Sequence, residues 1–263
     1  MIRLAANLST LFTELPFVDR FAAAADAGFR GVECQFPYAL SAEQIAGELQ
    51  RHRLQLVLFN TPPGDLAAGE RGIGGLTGRE TEFRAGLTTA LHYAAVTGCP
   101  RLHVMAGIPP AGADPARQRA VFAANLEAVA DSAAAQGVTL LLEPINTRVD
   151  VPGYLINSTA AALECIATAN RPNLALQFDV YHQQIIEGDV ARRFAQLLPR
   201  VGHVQIADNP GRHEPGSGEI NFPWLLSHID ALGYAGWIGC EYLPAAGTLA
   251  GIGWATPYLA PPC

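Results

Sequence analysis

The sequence predicts an α/β fold, a (β/α)8 TIM barrel formed by residues 1–263 as one domain with a C-terminal tail from about residue 244. Short apolar runs alternate with amphipathic stretches, a pattern typical of βαβ units and parallel strand pairing. Eight such units in about 250 residues match the size of a TIM barrel. A doubly wound open sheet is the alternative, but the segment after the first strand, Asn7–Thr10, lacks the glycine-rich dinucleotide turn typical of that fold.

Eight apolar runs are predicted to be the strands. The runs that begin at Leu54 and at Thr139 are almost continuously apolar, which indicates strands buried on both faces, as in a parallel sheet. The predicted strands are Arg3–Asn7, Gly31–Gln35, Leu54–Asn60, Arg101–Met105, Thr139–Glu143, Leu174–Asp179, Val201–Gln205 and Trp237–Glu241.

Helix-capping residues and apolar spacing predict the helices between these strands. Ser41 and Gln44 have the spacing of a capping box. Asp114 and Pro115 begin a longer helix with an apolar stripe, and Gly137 ends it. Further helices are predicted at Phe17–Ala27, Ser158–Ala169, Asp189–Leu198 and Phe222–Leu232. Residues 60–78 and 207–218 are rich in glycine and proline, and loops of this length are often functional lids.

The composition excludes several classes of function. All 17 basic residues are arginine, so no lysine amine is available for Schiff-base or pyridoxal phosphate chemistry. A net charge of −7 without a basic run argues against a nucleic acid or an anionic membrane surface as partner. We find no signal peptide and no membrane span, and five widely spaced cysteines without a CxxC pair, Cys263 among them, favour free thiols in the cytoplasm.

Polar residues end four consecutive predicted strands, namely Glu143, Asp179, Gln205 and Glu241. The C-terminal strand ends of a barrel meet at one face, so we expect these side chains to converge there. Three carboxylates and an amide oxygen suit a hard divalent cation, Mg²⁺ or Mn²⁺, better than zinc. For any one of these four residues taken alone, capping of the next helix or exposure to solvent at a strand end is an equally good explanation.

Three other residues leave two interpretations open. His182 follows Asp179 by three positions and either reaches a bound substrate or caps a helix. His203 lies on the same strand face as Gln205 and either supports the site or packs inside the barrel. Glu33 ends the second strand as either a functional group or a solvated one. For an acidic substrate, Arg212 and Arg71 in the two long loops are the candidate cations.

Segments along almost the whole chain match the motifs of one known enzyme family. The segment Pro210–Asn221 is the most specific, and the chain departs from the family pattern at Gly74 and Gly75. The matching segments are Gly31–Tyr38, Asn60–Asp65, Gly69–Ile73, Leu142–Asn146, Phe178–His182, His203–Asp208, Pro210–Asn221, Trp237–Tyr242 and Gly251–Trp254. Through these segments the chain resembles the hydroxypyruvate isomerase family, in the xylose isomerase-like barrel superfamily.

The resemblance implies a site and a reaction. Glu143 and Glu241 match the family's catalytic, metal-binding glutamates, and Asp179 and Gln205 match the other two ligands of Mg²⁺ or Mn²⁺. The residues matching substrate contacts are His182 and Arg212. The implied reaction interconverts hydroxypyruvate and 2-hydroxy-3-oxopropanoate through an enediolate, in glyoxylate metabolism, with one glutamate removing a proton and the other delivering one. Arg212 is the first choice for the substrate carboxylate and Arg71 the second.

Several alternatives share this pattern. A 2-oxo-tetronate isomerase or a ketose 3-epimerase would use the same barrel, although the epimerases carry histidine where Gln205 stands. The related abasic-site endonucleases need several zinc ions and many histidines, and this chain has seven histidines. A non-enzymatic barrel that binds a metabolite is the remaining alternative. We expect a small hydroxy or oxo acid as the partner, and we leave a homo-oligomer open.

Overall fold

Eight parallel strands form a closed barrel in the computed structural model, which describes residues 1–259. Each strand pairs with its neighbours in chain order, and the first pairs with the eighth. The predicted TIM barrel is therefore confirmed, and the open-sheet alternative is wrong. Cys263 lies outside the described residues. The strands are β1 Arg3–Asn7, β2 Gly31–Cys34, β3 Gln55–Asn60, β4 Arg101–His103, β5 Thr139–Leu142, β6 Leu174–Asp179, β7 Val201–Ile206 and β8 Trp237–Cys240.

Helices follow the strands and surround the barrel. Short 3-10 segments precede α1, follow α7 and follow α9, at Phe17–Asp19, Leu198–Arg200 and Ile252–Tyr258. The α-helices are α1 Arg20–Asp26, α2 Ala42–His52, α3 Glu80–Thr97, α4 Pro115–Ala134, α5 Thr159–Ala169, α6 Val180–Ile186, α7 Val190–Leu197, α8 Phe222–Ala231 and α9 Thr248–Gly251. Within residues 1–259, no helix is both long and apolar enough to cross a membrane.

The caps that the sequence predicts account for two of the helix starts. Ser41 Oγ accepts a hydrogen bond from the Gln44 backbone, and Gln44 returns one to the Ser41 N–H, so the capping box forms. Asp114 accepts from the Ala116 N–H at the start of α4. Asp189 behaves differently, since its backbone is left-handed and its side chain makes no cap hydrogen bond.

The barrel interior is apolar in one layer and polar in the next. Ala5, Val57, Leu141 and Trp237 belong to a small buried cluster separate from the main core between strands and helices. Side chains on a strand alternate between its two faces, so the residue two positions further on points the same way. Two positions beyond Ala5, Leu141 and Gly239 lie Asn7, Glu143 and Glu241. The alternation therefore places polar side chains at the C-terminal mouth of the barrel.

Backbone hydrogen bonds fix the loop of residues 60–78 against the end of β4. Gly72 forms a bridge with Ala106, and the Gly75 N–H donates to the Ala106 carbonyl at 2.7 Å. A Cβ at Gly75 would lie 2.3 Å from Leu155 Cδ2 and 3.2 Å from the Ala106 carbonyl oxygen, so a larger residue there would displace the Leu155 side chain. Gly75, one of the two departures from the family pattern, therefore lies in a tightly packed segment.

The carboxylate of Asp208 organises the second long loop, residues 207–218. It accepts hydrogen bonds from the backbone N–H groups of Asn209, Gly216, Gly218 and Ile220, at 2.9–3.1 Å. Both long loops contribute walls to the mouth of the barrel, through Leu66 and Arg71 in the first and Arg212 in the second.

Candidate active site

A cavity of about 310 Å³ opens at the C-terminal mouth of the barrel. Its size is typical of a small-molecule site. Strand ends and the loops that follow them supply its lining. The polar residues of the lining are Gln35, Asn60, Arg71, His103, Glu143, Asp150, His182, Arg212 and Glu241.

Glu143, Asp179 and His182 form a group whose potential ligand atoms lie within 4.8 Å of one another. His182 Nε2 is 3.7 Å from Glu143 Oε1 and 4.0 Å from Asp179 Oδ2. Asp179 Oδ1 accepts from the N–H groups of Tyr181 and His182 and so caps α6, which leaves Oδ2 for the site. Asp179 therefore both ends β6 and begins α6, a helix that the sequence analysis did not predict.

Glu241 follows β8 and lies in the same cavity. Asn7 Nδ2 and Gln35 Nε2 each donate to its Oε1 at 3.1 Å. Arg212 donates to its Oε2 at 2.8 Å. Glu241 is thus held by three donors, whereas Glu143 Oε1 has no hydrogen-bond partner among the described residues.

Burial and mutual repulsion affect the pKa values of the carboxyl groups in the site. Burial raises the pKa of Glu143 well above its usual range, and the nearby charges of Asp179 and Glu241 raise it further. Burial also raises the pKa of Glu241 to about 7, although the charge of Arg212 opposes that shift. A divalent cation would relieve this repulsion, and an unpartnered carboxylate oxygen beside a second carboxylate suits a hard cation. The residues present therefore fit Mg²⁺ or Mn²⁺.

Gln205 is the register partner of Asp179 on the neighbouring strand, and it makes its hydrogen bonds inside the barrel. Its Oε1 accepts from Gln177 Nε2, and its Nε2 donates to Glu33 Oε1 at 2.7 Å. Glu33 Oε1 also accepts from Asn7 Nδ2, and Glu33 Oε2 lies 2.7 Å from His203 Nε2. We call Glu33, Asn7, His203 and Gln205 the Glu33 cluster.

The Glu33 cluster resolves two of the open interpretations. Glu33 and His203 are both fully buried, so the solvated strand end is wrong for Glu33 and His203 packs inside the barrel. Gly239 provides the space, because a Cβ there would lie 2.2 Å from Glu33 Oε2. Asn7 donates to both Glu33 and Glu241 and so connects the cluster to the cavity.

The two candidate arginines differ in their partners. Arg212 donates to Asp150 Oδ1 at 2.7 Å as well as to Glu241, and its guanidinium lies 5.0 Å from the centre of the Tyr181 ring. Burial disfavours its charge, but the surrounding carboxylates outweigh burial and raise the pKa of Arg212. Arg71 donates to the carbonyl of Glu70 and has no ion pair with a carboxylate in the described part of the chain.

The hydrogen bonds of Asn146 define the orientation of His182. The Asn146 carboxamide is fixed, since its Oδ1 accepts from the Val149 N–H and its Nδ2 donates to Asp150. The same Nδ2 lies 2.8 Å from His182 Nδ1, so this ring nitrogen is the acceptor. The neutral ring then carries its proton on Nε2, directed at Glu143 and Asp179.

Sequence reasoning missed several cavity residues, of which His103 is the most isolated. Its side chain is 2% exposed, its Nδ1 lies 3.4 Å from Glu143 Oε2, and neither ring nitrogen has a hydrogen-bond partner in residues 1–259. The predicted strand extended to Met105, whereas β4 ends at His103 itself. A strand ending there would have placed His103 with the other strand-end polar residues. Asn7, Gln35 and Asp150 were missed as well.

The chain is similar to known proteins over almost its whole length. The family model described as xylose isomerase-like TIM barrel matches residues 21–258. The chain is 53% identical to a 2-oxo-tetronate isomerase of Cupriavidus necator, over 98% of this chain and 99% of that protein. It is 43% identical to the hydroxypyruvate isomerase of Escherichia coli K12, over 98% of this chain and all of that protein.

A solved structure is similar over the same length. The crystal structure titled AP endonuclease, family 2 from Brucella melitensis has a TM-score of 0.96 and 49% identity, and the match covers 98% of this chain and 100% of that one.

Proposed function

The chain belongs to the xylose isomerase-like TIM barrel family, and we propose that it is an isomerase that interconverts hydroxypyruvate and 2-hydroxy-3-oxopropanoate. The observation that carries the proposal is the pair of buried glutamates, Glu143 and Glu241, facing one small cavity with raised pKa values. Relatives named hydroxypyruvate isomerase and 2-oxo-tetronate isomerase match 98% of the chain, which supports the proposal.

The reaction moves a carbonyl group by one carbon. One glutamate carboxylate removes a proton from C3 of hydroxypyruvate, and the C–H electron pair forms the C2=C3 bond of an enediolate while charge moves to the C2 oxygen. The other glutamate, in its protonated form, delivers a proton to C2. The proton of the C3 hydroxyl passes to the C2 oxygen, so that C3 carries the new carbonyl and C2 the new hydroxyl. The two glutamates have then exchanged protonation states and re-equilibrate with solvent.

Glu143, Asp179 and Glu241 would hold Mg²⁺ or Mn²⁺, and Gln205 is the fourth proposed ligand through its carboxamide oxygen. When bound, the cation supplies positive charge near the oxygens on which negative charge develops. The protonated Nε2 of His182 makes this residue a hydrogen-bond donor to substrate rather than a ligand, because the Asn146 contact occupies the other ring nitrogen.

We propose Arg71, rather than Arg212, as the cation that binds the substrate carboxylate. The sequence ranks Arg212 first, but two carboxylates already neutralise its guanidinium. Arg71 lines the same cavity and keeps its charge free of a carboxylate partner among residues 1–259. Arg212 instead orients Glu241 and links it to Asp150.

A four-carbon 2-oxo acid is the second candidate substrate, since a relative with 53% identity is named 2-oxo-tetronate isomerase. An endonuclease activity is disfavoured. The net charge is −7, and a repair nuclease of this superfamily would need several zinc ions and a basic surface.

The cellular setting is also a proposal. Four buried cysteines, Cys34, Cys99, Cys165 and Cys240, are free thiols, which supports a reducing compartment such as the cytoplasm. A role in glyoxylate metabolism follows only if hydroxypyruvate is the substrate.

The test is a rate comparison on purified protein. Hydroxypyruvate, 2-oxo-tetronate and a neutral ketose are assayed with Mg²⁺ or Mn²⁺, and loss of the substrate C–H signal is followed in deuterated solvent. Glu143→Gln and Glu241→Gln should each lower kcat by about 10²–10⁴-fold, whereas Glu164→Gln, a change at an exposed glutamate on α5, should not. Near-normal turnover in either site variant, or preference for the ketose, contradicts the proposal.

A further inference from the structure

His103 is a buried imidazole with no hydrogen-bond partner in the described chain, at the edge of the candidate active site. It is the last residue of β4, it is 2% exposed, and it lines the cavity. Buried polar groups nearly always have partners, so an unpartnered one usually has a functional reason. Here the space next to the ring is the cavity itself, and a molecule bound there is the available partner.

The ring of His103 is neutral, because burial and the nearby His182 lower its pKa to about 3. A neutral imidazole offers one N–H donor and one acceptor nitrogen. Its Nδ1 lies 3.4 Å from Glu143 Oε2, longer than an ordinary N–H···O hydrogen bond, and forms no hydrogen bond with it. A structural role through hydrogen bonding is therefore not supported by any contact of the ring.

The position of His103 determines which part of a substrate it meets. It flanks Glu143, the glutamate that lacks donors, whereas Glu241 on the other side already receives Asn7, Gln35 and Arg212. A substrate carbon that reaches Glu143 brings its own oxygen within reach of the imidazole. The carboxylate end of the substrate has Arg71 as its partner in the proposed function.

We propose that His103 is a further catalytic residue, which donates a hydrogen bond to the substrate oxygen on the carbon beside Glu143. This inference rests on the proposed isomerase function. Negative charge builds on that oxygen as the C–H proton leaves, so the hydrogen bond is stronger in the transition state than in the bound substrate. Removal of the donor therefore lowers kcat more than it raises KM.

The first experiment compares His103→Leu and His103→Gln with the wild type, and uses His92→Leu, a change at an exposed histidine on α3, as the control. We expect His103→Leu to lower kcat for hydroxypyruvate by about 10²-fold, with KM changed less than about threefold. His103→Gln keeps an N–H donor and should recover part of the rate. The Tm of His103→Leu should equal or exceed that of the wild type, because a buried unpartnered polar group is removed. A kcat within about threefold of wild type, or a loss of kcat accompanied by a fall in Tm, overturns the proposal.

The second experiment does not depend on turnover. In protein with ¹⁵N-labelled histidine, the imidazole signal of His103 is identified by its loss in His103→Leu, and hydroxypyruvate is then added. A shift of that signal supports the contact even if the wild type proves inactive, in which case only the isomerase assignment fails. Turnover by the wild type with no shift of the His103 signal overturns the contact and leaves the isomerase assignment standing.

Discussion

Gly239→Ala should destabilise the barrel by displacing the buried carboxyl group of Glu33, which is hydrogen-bonded to Asn7 beside the active site. The added methyl group would lie 2.2 Å from Glu33 Oε2 and 2.3 Å from Oε1. Ordinary van der Waals contact begins near 3.4 Å, so the carboxylate has to move by about 1 Å. That movement disrupts the hydrogen bonds that Glu33 receives from Asn7, Gln205 and His203.

The expected loss of unfolding free energy in Gly239→Ala has two contributions. Overpacking of a filled interior costs roughly 1–3 kcal/mol, and a weakened hydrogen bond to a buried charge costs roughly 1.5–3 kcal/mol. We expect the free energy of unfolding to fall by about 3 kcal/mol. For a chain of this length that corresponds to a fall in Tm of roughly 6–12 °C. The kcat should fall too, because Asn7 joins Glu33 to Glu241.

Thermal unfolding followed by circular dichroism, together with the initial rate on hydroxypyruvate, measures both effects. Gly47→Ala is the matched control, since Gly47 lies inside α2 and a Cβ there meets no atom within 4 Å. That change should stabilise the protein by about 0.5–1 kcal/mol. If Gly239→Ala keeps the wild-type Tm and rate, the carboxylate of Glu33 does not occupy the space above Gly239, and the reasoning is refuted.

Three further measurements test other parts of the structure. Asp208→Ala, which leaves four backbone N–H groups without their acceptor, should lower the unfolding free energy by about 2 kcal/mol; an unchanged urea midpoint would contradict this. Mn²⁺ at about 100 times its Kd should raise the unfolding free energy of the wild type by about 2.7 kcal/mol and that of Glu143→Gln much less. Equal increases in the two proteins would place the metal elsewhere. With a chelator present, lowering the pH from about 7 to about 5.5 should lower the unfolding free energy of the wild type by about 1 kcal/mol more than that of His103→Leu. The reason is that His103 becomes protonated in the unfolded chain, whereas in the folded protein its pKa of about 3 keeps the ring neutral. An equal loss of unfolding free energy in the two proteins, measured with urea, would show that His103 is not held neutral.

Strands were predictable here because a parallel strand buried on both faces leaves a continuous apolar run that ends at a polar residue. Observed and predicted strand bounds differ by at most two residues, as in β4, which ends at His103 instead of Met105. The helix α3 was missed because its apolar stripe is weak: Gly86, Thr88 and Thr89 interrupt a helix whose buried face includes Phe83 and Leu87. Packing on the barrel, and not local propensity, maintains it.

Which polar side chains contact one another was less predictable than which of them reach the mouth. The alternation along each strand indicates that Gln205 and Glu33 point inward, but not that they meet across the barrel. Such a contact joins residues 172 positions apart and depends on the register and curvature of the closed sheet. The pairing of Arg212 with Asp150 depends likewise on two loop conformations. For this reason the ligand role of Gln205 stays a prediction.

In the wall formed by residues 60–78, one set of residues holds the backbone in place and another set lines the cavity. Its glycines hold the segment to the residues that follow β4 through main-chain hydrogen bonds, whereas Leu66 and Arg71 line the cavity. Substitutions at these two positions alter what the cavity accepts and leave the anchoring bonds intact. A change in the molecules that this cavity accepts can therefore come from replacements in this wall, with the barrel and its buried carboxylates left unchanged.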